Sequence, residues 1–592
     1  MSPRRYLRCL GQPALLAPTG EPIRFRTRKH LALLVYLAVE GNQPQRRDRL
    51  AEFFWPKVPL AEARHSLATA LSVLRPRLGP GVLEATRDQV SLIEGHLELD
   101  LERLMAGDVL GNETRAPLEV AGFLEGFDIP DAGEFGLWKD RQQARWLPAV
   151  MNAFSQGLER CRRAGDTRQI EQIADKMLAM DPVCEDAVRA KMEVLAFAGD
   201  RLAALRLYEA WRTRIAEDLD AAPSAQLERM AARLRQRGWE RASLGDLPVA
   251  PPDQTRSRPF IGRAKEYQAL YDAWQQLKQG KSAHILLTGD SGVGKTRLVE
   301  RLTTAASLDG AAISRVQCYE LEREIPYATV SGLIMGLLDC AEVSGTPPEA
   351  LAELSRTVPD VRRRFPAIPA PRDSQGDTAR IELAEAFHQL LQAIAEERPV
   401  ILVVDDMHLA DDASLSVLHL VARRAAGDRV MMILVARPGE LAKSRQGERL
   451  LSGPTALHIR VIDVHQLSLE ESAELLACLV QIREAIPPTD VQHALLSAAR
   501  GIPMVLEFLV QDWASNGDAS LALAVSAMTS DLATGGERPE TYRRILHGIV
   551  QSLEPATQTV LQLAAILGPR LNDLTLYSLA DLSLGQTLAG LA

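Results

Sequence analysis

The sequence predicts a multidomain chain of mixed class: an α+β head, an all-α middle and an α/β module on a parallel sheet. Three observations carry that prediction. Short apolar runs broken by Gly and Pro near the N-terminus give way to sustained helical spacing over residues 96–240. A stretch containing Pro, Asp, Ser and Arg at 241–259 reads as a linker. Beyond it the apolar run His284–Leu287 feeds a glycine-rich turn, T-G-D-S-G-V-G-K-T at 288–296, which leads into a helical pattern.

The chain has 592 residues, enough for roughly three to five domains. Its apolar fraction of 46% and charged fraction of 24% are those of ordinary globular protein. No apolar run reaches the roughly 18 residues of a membrane span, so no membrane partner is expected. The N-terminus is basic but lacks the long apolar core and cleavage site of a signal peptide. Six scattered cysteines without a C-x-x-C pair fit free thiols in a reducing cytoplasm, the expected location, and no zinc site. The net charge of −9 hides an asymmetry. Residues 1–87 carry 15 Lys/Arg against 6 Asp/Glu, a net of +9, which leaves −18 for the remainder. Such a head either meets a polyanion or has an ordinary solvated surface.

In the head, residues 1–95, small strands are expected at 6–10, 14–16 and 23–25. A helix follows at 29–40, ended by Gly41-Asn42, then a second at 46–55, stopped by Pro56. A third spans about 60–78, with Ala63, Leu67, Ala70, Leu71, Leu74 and Leu78 inward. Its opposite stripe, Arg64, His65, Ala68, Thr69, Ser72 and Arg75, is small, polar and basic, as a helix in a major groove requires. Pro76 should end or bend this helix a turn early, which makes Arg77 a doubtful contact. Runs at 82–85 and 90–93 flank Thr86–Gln89 as a hairpin with Arg87 at its tip, a wing. Strands, three helices and a wing make a winged helix-turn-helix. Its candidate DNA contacts are Arg28, Lys29, Arg46, Arg47, Arg64, His65, Thr69, Ser72, Arg75 and Arg87. His65 is either a groove contact or merely an exposed helix residue.

R-K-H-L-A-L-L-V-Y-L-A (28–38), R-D-R-L-A-E-F-F-W-P (47–56) and A-R-H-S-L-A-T-A-L-S-V-L-R (63–75) resemble the OmpR-type winged helix of the SARP family of bacterial transcription activators. The resemblance implies promoter DNA as partner, with the third helix in the major groove and the wing near the minor groove.

Residues 96–240 read as helices near 101–105, 136–163, 167–180, 185–198, 201–219 and 224–236. Short breaks at 163–166 and 197–200 imply antiparallel pairs in a tetratricopeptide-like stack. Asp166, Asp181 and Asp200 read as caps and turn residues. F-L-E-G-F (123–127), E-F-G-L-W-K-D-R (134–141), M-D-P-V-C-E-D-A (180–187) and G-D-R-L-A-A-L-R-L-Y-E (199–209) resemble the bacterial transcriptional activator domain that follows the winged helix in SARPs. That implies packing against the head, dimerisation into a homo-oligomer, or contact with RNA polymerase.

The turn at 289–296 fits G-x-x-x-x-G-K-[ST], the P-loop. Gly289, Gly292 and Gly294 let backbone N–H groups point at phosphate oxygens, with Asp290, Ser291, Val293 and Arg297 completing the candidate nucleotide site. The helix behind the turn presents its positive end to the same anion. Lys295 is expected to reach the β- and γ-phosphates of ATP, and the Thr296 hydroxyl to hold Mg²⁺. The run Val400–Val404 ends in Asp405-Asp406, the Walker B form. Asp405 is assigned to Mg²⁺, through water, and Asp406 to orienting or activating the attacking water. The strand at 430–436 ends in Arg437, placed to touch a γ-phosphate. The expected fold is a P-loop core at 260–467 with a helical lid at 468–540.

Phe260-Ile261-Gly262-Arg263 with Glu266 resembles the F-V-G-R-x-x-E start of STAND-type and related AAA ATPases. That resemblance places Gly262 and Arg263 near the adenine. Met407-His408-Leu409-Ala410-Asp411-Asp412, after the two acids, resembles the D-D-x-H-W-A-D signature of that group, with Leu409 for the usual Trp. His408 either senses the nucleotide or is structural. Gly501-Ile502-Pro503 matches the G-x-P element whose proline packs on the base, though a simple helix start with Pro near N1 reads the same. Residues 541–592 resemble the start of a second winged helix and stop before a complete element forms, so the chain is expected to be a shortened product.

The sequence therefore supports a nucleotide-switched transcription activator in which any ATP hydrolysis is slow. The rival is an ATPase with an assembly or mechanical output whose winged helix is a protein-docking scaffold.

Overall fold

A computed structural model describes residues 5–41, 43–93, 95–107, 122–235, 260–441, 459–483, 486–517 and 558. The chain divides into two compact units, 1–195 with 202–227, and 196–201 with 228–592. The linker at 241–259, the end of the lid and the region at 541–592 lie outside the described residues, Gln558 excepted. No described helix is long and apolar enough to cross a membrane.

The first unit opens with β1 (Arg5–Arg8), β2 (Ala14–Leu16) and β3 (Pro22–Ile23), followed by α1 (Arg28–Val39), β4 (Gln45–Arg46), α2 (Arg47–Phe54) and α3 (Leu60–Leu78). Then come β5 (Leu83–Ala85), β6 (Gln89–Leu92), β7 (Leu97–Leu99) and α4 (Asp100–Met105). One sheet has the order β3-β2-β1-β7 and a second β4-β6-β5. β1 pairs antiparallel with β2 and parallel with β7, so the head's first sheet takes a strand from beyond residue 95. β5 and β6 form the hairpin whose tip holds Thr86–Asp88.

The early end expected for α3 is not found. The helix continues through Pro76 to Leu78, and the Gly79 N–H closes on the Arg75 carbonyl. Pro76 removes a single N–H bond in the last turn, while buried Leu74 and Leu78 hold both sides of it in the core. Arg77 turns back onto the helix, donating from Nη1 to the Val73 carbonyl at 2.9 Å and lying over the Phe25 ring.

α5 (Gly133–Ala164), α6 (Thr167–Met180), α7 (Glu185–Phe197), α8 (Arg201–Leu219) and α9 (Ala225–Arg235) follow, most of α9 belonging to the second unit. Asp166 caps α6 by accepting from the Gln169 N–H at 2.9 Å. A largely buried Arg162–Glu193 pair at 2.8 Å ties α5 to α7. The aromatic rings of α1, α2 and α5 form one cluster: Tyr36 lies 4.9 Å from Phe53 and 5.1 Å from Trp138, and Phe54 lies 5.8 Å from Phe135. Glu40, at the end of α1, accepts from Trp138 Nε1 at 2.6 Å and from Gln142 Nε2 at 3.3 Å. Buried Asp100 holds the base of this core, accepting from the Cys9 and Leu10 N–H groups at 2.7 Å each and from the Leu101 N–H at 2.9 Å.

The second unit is an α/β layer structure. Its helices and strands run α10 (Ala264–Lys278), β8 (Ala283–Thr288), α11 (Lys295–Asp309), β9 (Ala312–Gln317), α12 (Ala328–Leu337), α13 (Pro348–Leu354), α14 (Asp360–Arg364), α15 (Gly376–Ala395), β10 (Val400–Asp405), α16 (Asp412–Arg424), β11 (Val430–Ala436), α17 (Pro438–Leu441) and β12 (Ile459–Asp463). The five strands are all parallel, in the order β12-β8-β11-β10-β9. Alternate side chains serve opposite layers, as a parallel sheet covered on both faces requires. Ile285, Leu287, Val403 and Ile433 pack with Trp274, Leu298 and Leu302 on one side; Leu286, Leu402, Val404 and Leu434 pack with Leu333, Phe387 and Leu418 on the other. Three further helices, α18 (Leu469–Arg483), α19 (Thr489–Ala499) and α20 (Pro503–Asn516), enclose their own core around Leu475, Leu495, Leu506 and Leu509.

Candidate nucleotide site and nucleic-acid face

The crevice at the carboxyl ends of β8, β10 and β11 gathers most of the chemistry. In β8 the apolar run Ile285–Leu287 is buried and leads to Thr288, after which the chain turns into α11. Two glycines are required by geometry. Gly289 has φ +152° and runs so close to Val464 that a Cβ would strike its carbonyl, and Gly294, at the helix start, has φ +102°. Lys295 is buried, and its Nζ donates to the carbonyls of Gly289 at 2.9 Å and Asp290 at 2.7 Å, closing the loop on itself. Burial pulls the Lys295 ammonium below its usual range, against the opposing pull of Asp406.

β10 brings Asp405 to the same place. The Thr296 hydroxyl lies 3.4 Å from Asp405 Oδ2, a contact between residues 109 apart in sequence. Oδ2 also accepts from Arg315 Nη2 on β9 at 2.8 Å, and both of these side chains are almost wholly buried. Asp406 adopts the left-handed conformation at φ +50° and accepts from Gln317 Nε2 at 2.9 Å. Register explains both pairs, because β9 and β10 align Asp405 with Gln317 and Val403 with Arg315. Arg315 and Gln317 were missed in the sequence. The signal was the alternation in Ala312–Gln317, where polar residues at 315 and 317 interrupt a strand of a buried parallel sheet.

The loop after β10 is braced by Asp411. Its Oδ1 accepts from the Tyr327 and Ser414 N–H groups at 2.8 Å each, and its Oδ2 from the Thr329 N–H at 3.3 Å. One carboxylate thereby starts both α12 and α16. His408 is buried, and its Nδ1 has no hydrogen-bond partner among the described residues. Burial lowers its pKa, with Asp406, Arg437, Glu440 and Lys295 as the charges around it. Arg437 stands exposed at the end of β11 and is a neighbouring charge to both Lys295 and His408.

Arg263 departs from the expected nucleotide contact. Its guanidinium is buried, with Nη2 donating to the Val293 carbonyl at 2.9 Å and the His465 carbonyl at 2.5 Å, so it supports the loop from behind. Gly262, at φ +70°, sits against Glu471 and Leu467, where a Cβ would collide. Pro503 is the first residue of α20. The Met504 N–H donates to the Gly292 carbonyl at 3.3 Å, and Leu467 N–H donates to Gly501 at 2.7 Å, so 501–504 abut the loop directly. A cleft of about 700 Å³ beside the loop is lined by Asp290, Val293, Val464, Leu467, Ser468 and Glu471, among others. Asp290 and Arg297 have partners of their own; Ser291 is exposed at the turn.

In the first unit, the outer stripe of α3 is exposed at Arg64, His65, Thr69, Ser72 and Arg75, as are Arg46 and Arg87. A cleft of about 630 Å³ brings Arg28, Lys29, His65 and Thr69 together with Trp55. Several of these groups are already engaged. Arg64 makes a two-pronged pair with Asp48 at 2.6 and 2.7 Å, which holds the Asp48 carboxyl below its usual range. Arg47 donates to the Thr86 carbonyl at 2.9 Å, fixing the hairpin to α2. Lys29 donates to the Phe54 carbonyl at 2.8 Å and lies over Trp55. The Thr69 and Ser72 hydroxyls bond back to the His65 and Thr69 carbonyls.

Comparison with known proteins gives two family matches, a bacterial transcriptional activator domain over residues 125–235 and an AAA ATPase domain over 259–433. The uncharacterized protein R02095 of Rhizobium meliloti strain 1021 is 23% identical over 323 residues, 52% of this chain. The chain spans only 30% of that curated relative's length. Among solved structures, Mycobacterium tuberculosis EmbR in complex with a low-affinity phosphopeptide is 19% identical, with a TM-score of 0.31 over 46% of this chain and 72% of that one. The Walker-type ATPase PABY2304 of Pyrococcus abyssi is 17% identical, with a TM-score of 0.33 over 58% of this chain and 92% of that one. This is a multidomain chain that carries a bacterial transcriptional activator domain followed by an AAA ATPase domain.

Proposed function

We propose that this protein is a DNA-binding transcription activator whose state is set by ATP or ADP held at Gly289–Thr296. The observation that carries the nucleotide reading is the approach of the Thr296 hydroxyl to Asp405, which unites loop and acid at one point. Both offer hard oxygen donors, which suits Mg²⁺, and these two residues would hold it. When bound, the ion would supply positive charge that neutralises the phosphates. On that reading, N–H groups of the loop bind phosphate, and Lys295 leaves the Gly289 and Asp290 carbonyls for the β- and γ-phosphates. Asp406, steadied by Gln317, orients the attacking water. Arg437 reaches for the γ-phosphate, and Pro503 covers the base from the lid. ATP and ADP would then differ in free energy between two conformations, and only that difference can shift their populations.

The basic head and the exposed stripe of α3 support double-stranded promoter DNA as the polyanion. RNA polymerase and a second copy of the chain are the proposed partners of the helical middle. The pairing of Arg64 with Asp48 favours the second reading, a head that docks protein, because it leaves less free charge on the stripe. Salt separates the two. DNA binding through phosphates makes the logarithm of affinity fall linearly with the logarithm of salt concentration. A labelled fragment of the gene's own promoter should show that slope, and Lys295→Ala should abolish binding of fluorescent ATP. A flat salt response would transfer the head to protein docking, and unchanged ATP binding by Lys295→Ala would refute the loop assignment.

A further inference from the structure

The Asp405 carboxylate already holds a cation. Arg315 Nη2 lies 2.8 Å from Oδ2, the oxygen that the Thr296 hydroxyl also approaches at 3.4 Å. A divalent ion brought to Thr296 and Asp405 would therefore compete with a buried positive charge for that oxygen. A second carboxylate stands ready on the other side. Glu300, one and a half turns into α11, places Oε1 3.6 Å from Arg315 Nη1. That gap exceeds a hydrogen bond, and Nη1 is buried with no hydrogen-bond partner among the described residues. A buried donor left unmade is costly, so the guanidinium has reason to complete this second contact whenever the first is loosened. The planar fork of arginine suits such an exchange, because it can face two carboxylates at once and cannot lose its charge.

We infer that Arg315 exchanges its hydrogen bond from Asp405 to Glu300 as Mg²⁺ arrives, so that Glu300 sets how much Mg²⁺ nucleotide binding requires. This rests on the nucleotide reading of the loop. Arg315 and Glu300 are positioning residues, since neither is placed on phosphate. Their arrangement also links the metal position to α11, the helix that begins at Lys295.

The test uses the full chain and a fluorescent ATP analogue, titrated against free Mg²⁺ and separately in EDTA. Glu300 is on the rim, its side chain 21% exposed, so Glu300→Gln should fold. Its Mg²⁺ midpoint should rise about five- to tenfold, because the arginine loses its second seat, while affinity in EDTA stays the same. Arg315→Gln should lower the midpoint. In the Arg315→Gln background, adding Glu300→Gln should change nothing, a coupling that a merely structural role would not produce. Should Arg315→Gln not fold, the midpoint of Glu300→Gln decides alone. A midpoint within twofold of the parent for Glu300→Gln, with ATP still bound and Lys295→Ala still defective, overturns the exchange and leaves the nucleotide site standing. Parent protein that binds no ATP analogue overturns both.

Discussion

Removing Asp411 should unfasten the start of two helices at once. The three N–H groups it receives, from Tyr327, Thr329 and Ser414, lie around a carboxylate only 3% exposed. Each buried donor left without a partner costs about 1–3 kcal/mol, and the three share one local rearrangement, so they do not add fully. Asp411→Ala should therefore cost about 3–6 kcal/mol locally. Asp411→Asn is the informative partner. Its carbonyl oxygen can keep the two 2.8 Å bonds of Oδ1, while its amide faces the Thr329 N–H, the longest contact at 3.3 Å. The cost of Asn should be about 1–2 kcal/mol. Hydrogen exchange of peptides covering 326–331 and 412–416 reads this directly, since about 1.4 kcal/mol is tenfold in opening. Alanine should speed exchange in both peptides by about a hundredfold or more, and asparagine by about tenfold, mainly in the first. Equal effects of the two variants, or faster exchange in only one peptide with alanine, would refute the shared-carboxylate account.

Three other outcomes follow from the geometry. Burial, opposed by three backbone bonds, raises the Asp100 carboxyl from the usual 3.8 to about 6. The folded state then binds the proton more tightly than the unfolded one, so this group's stabilising share is full below about pH 4 and is lost as pH rises through 6, a change of about 3 kcal/mol. Asp100→Asn should flatten urea stability of the first unit between pH 4 and pH 7.5 by about that amount, and an unchanged pH slope would contradict it. Gly289→Ala should abolish fluorescent ATP binding, because the new methyl meets the Val464 carbonyl and the backbone is at φ +152°; retained affinity would show that the loop can move. On the DNA reading, Asp48→Ala frees Arg64 and should tighten promoter binding in a gel-shift titration several-fold at low salt, whereas weaker binding would mean that the pair is needed to place α3.

The loop at 288–296 was legible because everything it needs is local: an apolar strand, glycines where the backbone turns, and a helix behind. Asp405 was legible for the same reason, as an acid at the end of an apolar run. Arg315 and Gln317 were not, because their meaning depends on strand register between β9 and β10, which 82 intervening residues separate and no local pattern encodes. Arg263 was legible as a position but not as a role, since sequence does not tell whether a guanidinium faces a ligand or two main-chain carbonyls. Pro76 misled because its ordinary effect assumes a helix interior, and here leucines on either side are anchored in the core. The strand β7 was unseen because Leu97–Leu99 is only three residues long and gains its structure from pairing with β1.

The shared core of α1, α2 and α5 carries a lesson for anyone exchanging parts between such proteins. A graft cut at residue 95 would cleave the sheet before β7, strand Asp100 away from the Cys9 and Leu10 amides, and leave Tyr36 and Glu40 facing water where Trp138 and Gln142 had been. The transplantable piece is longer, running through α5 to Gly165, where the chain takes a left-handed turn at φ +70° before α6 begins. On the DNA reading, a transplanted head would keep its recognition only if its own supporting helix travelled with it.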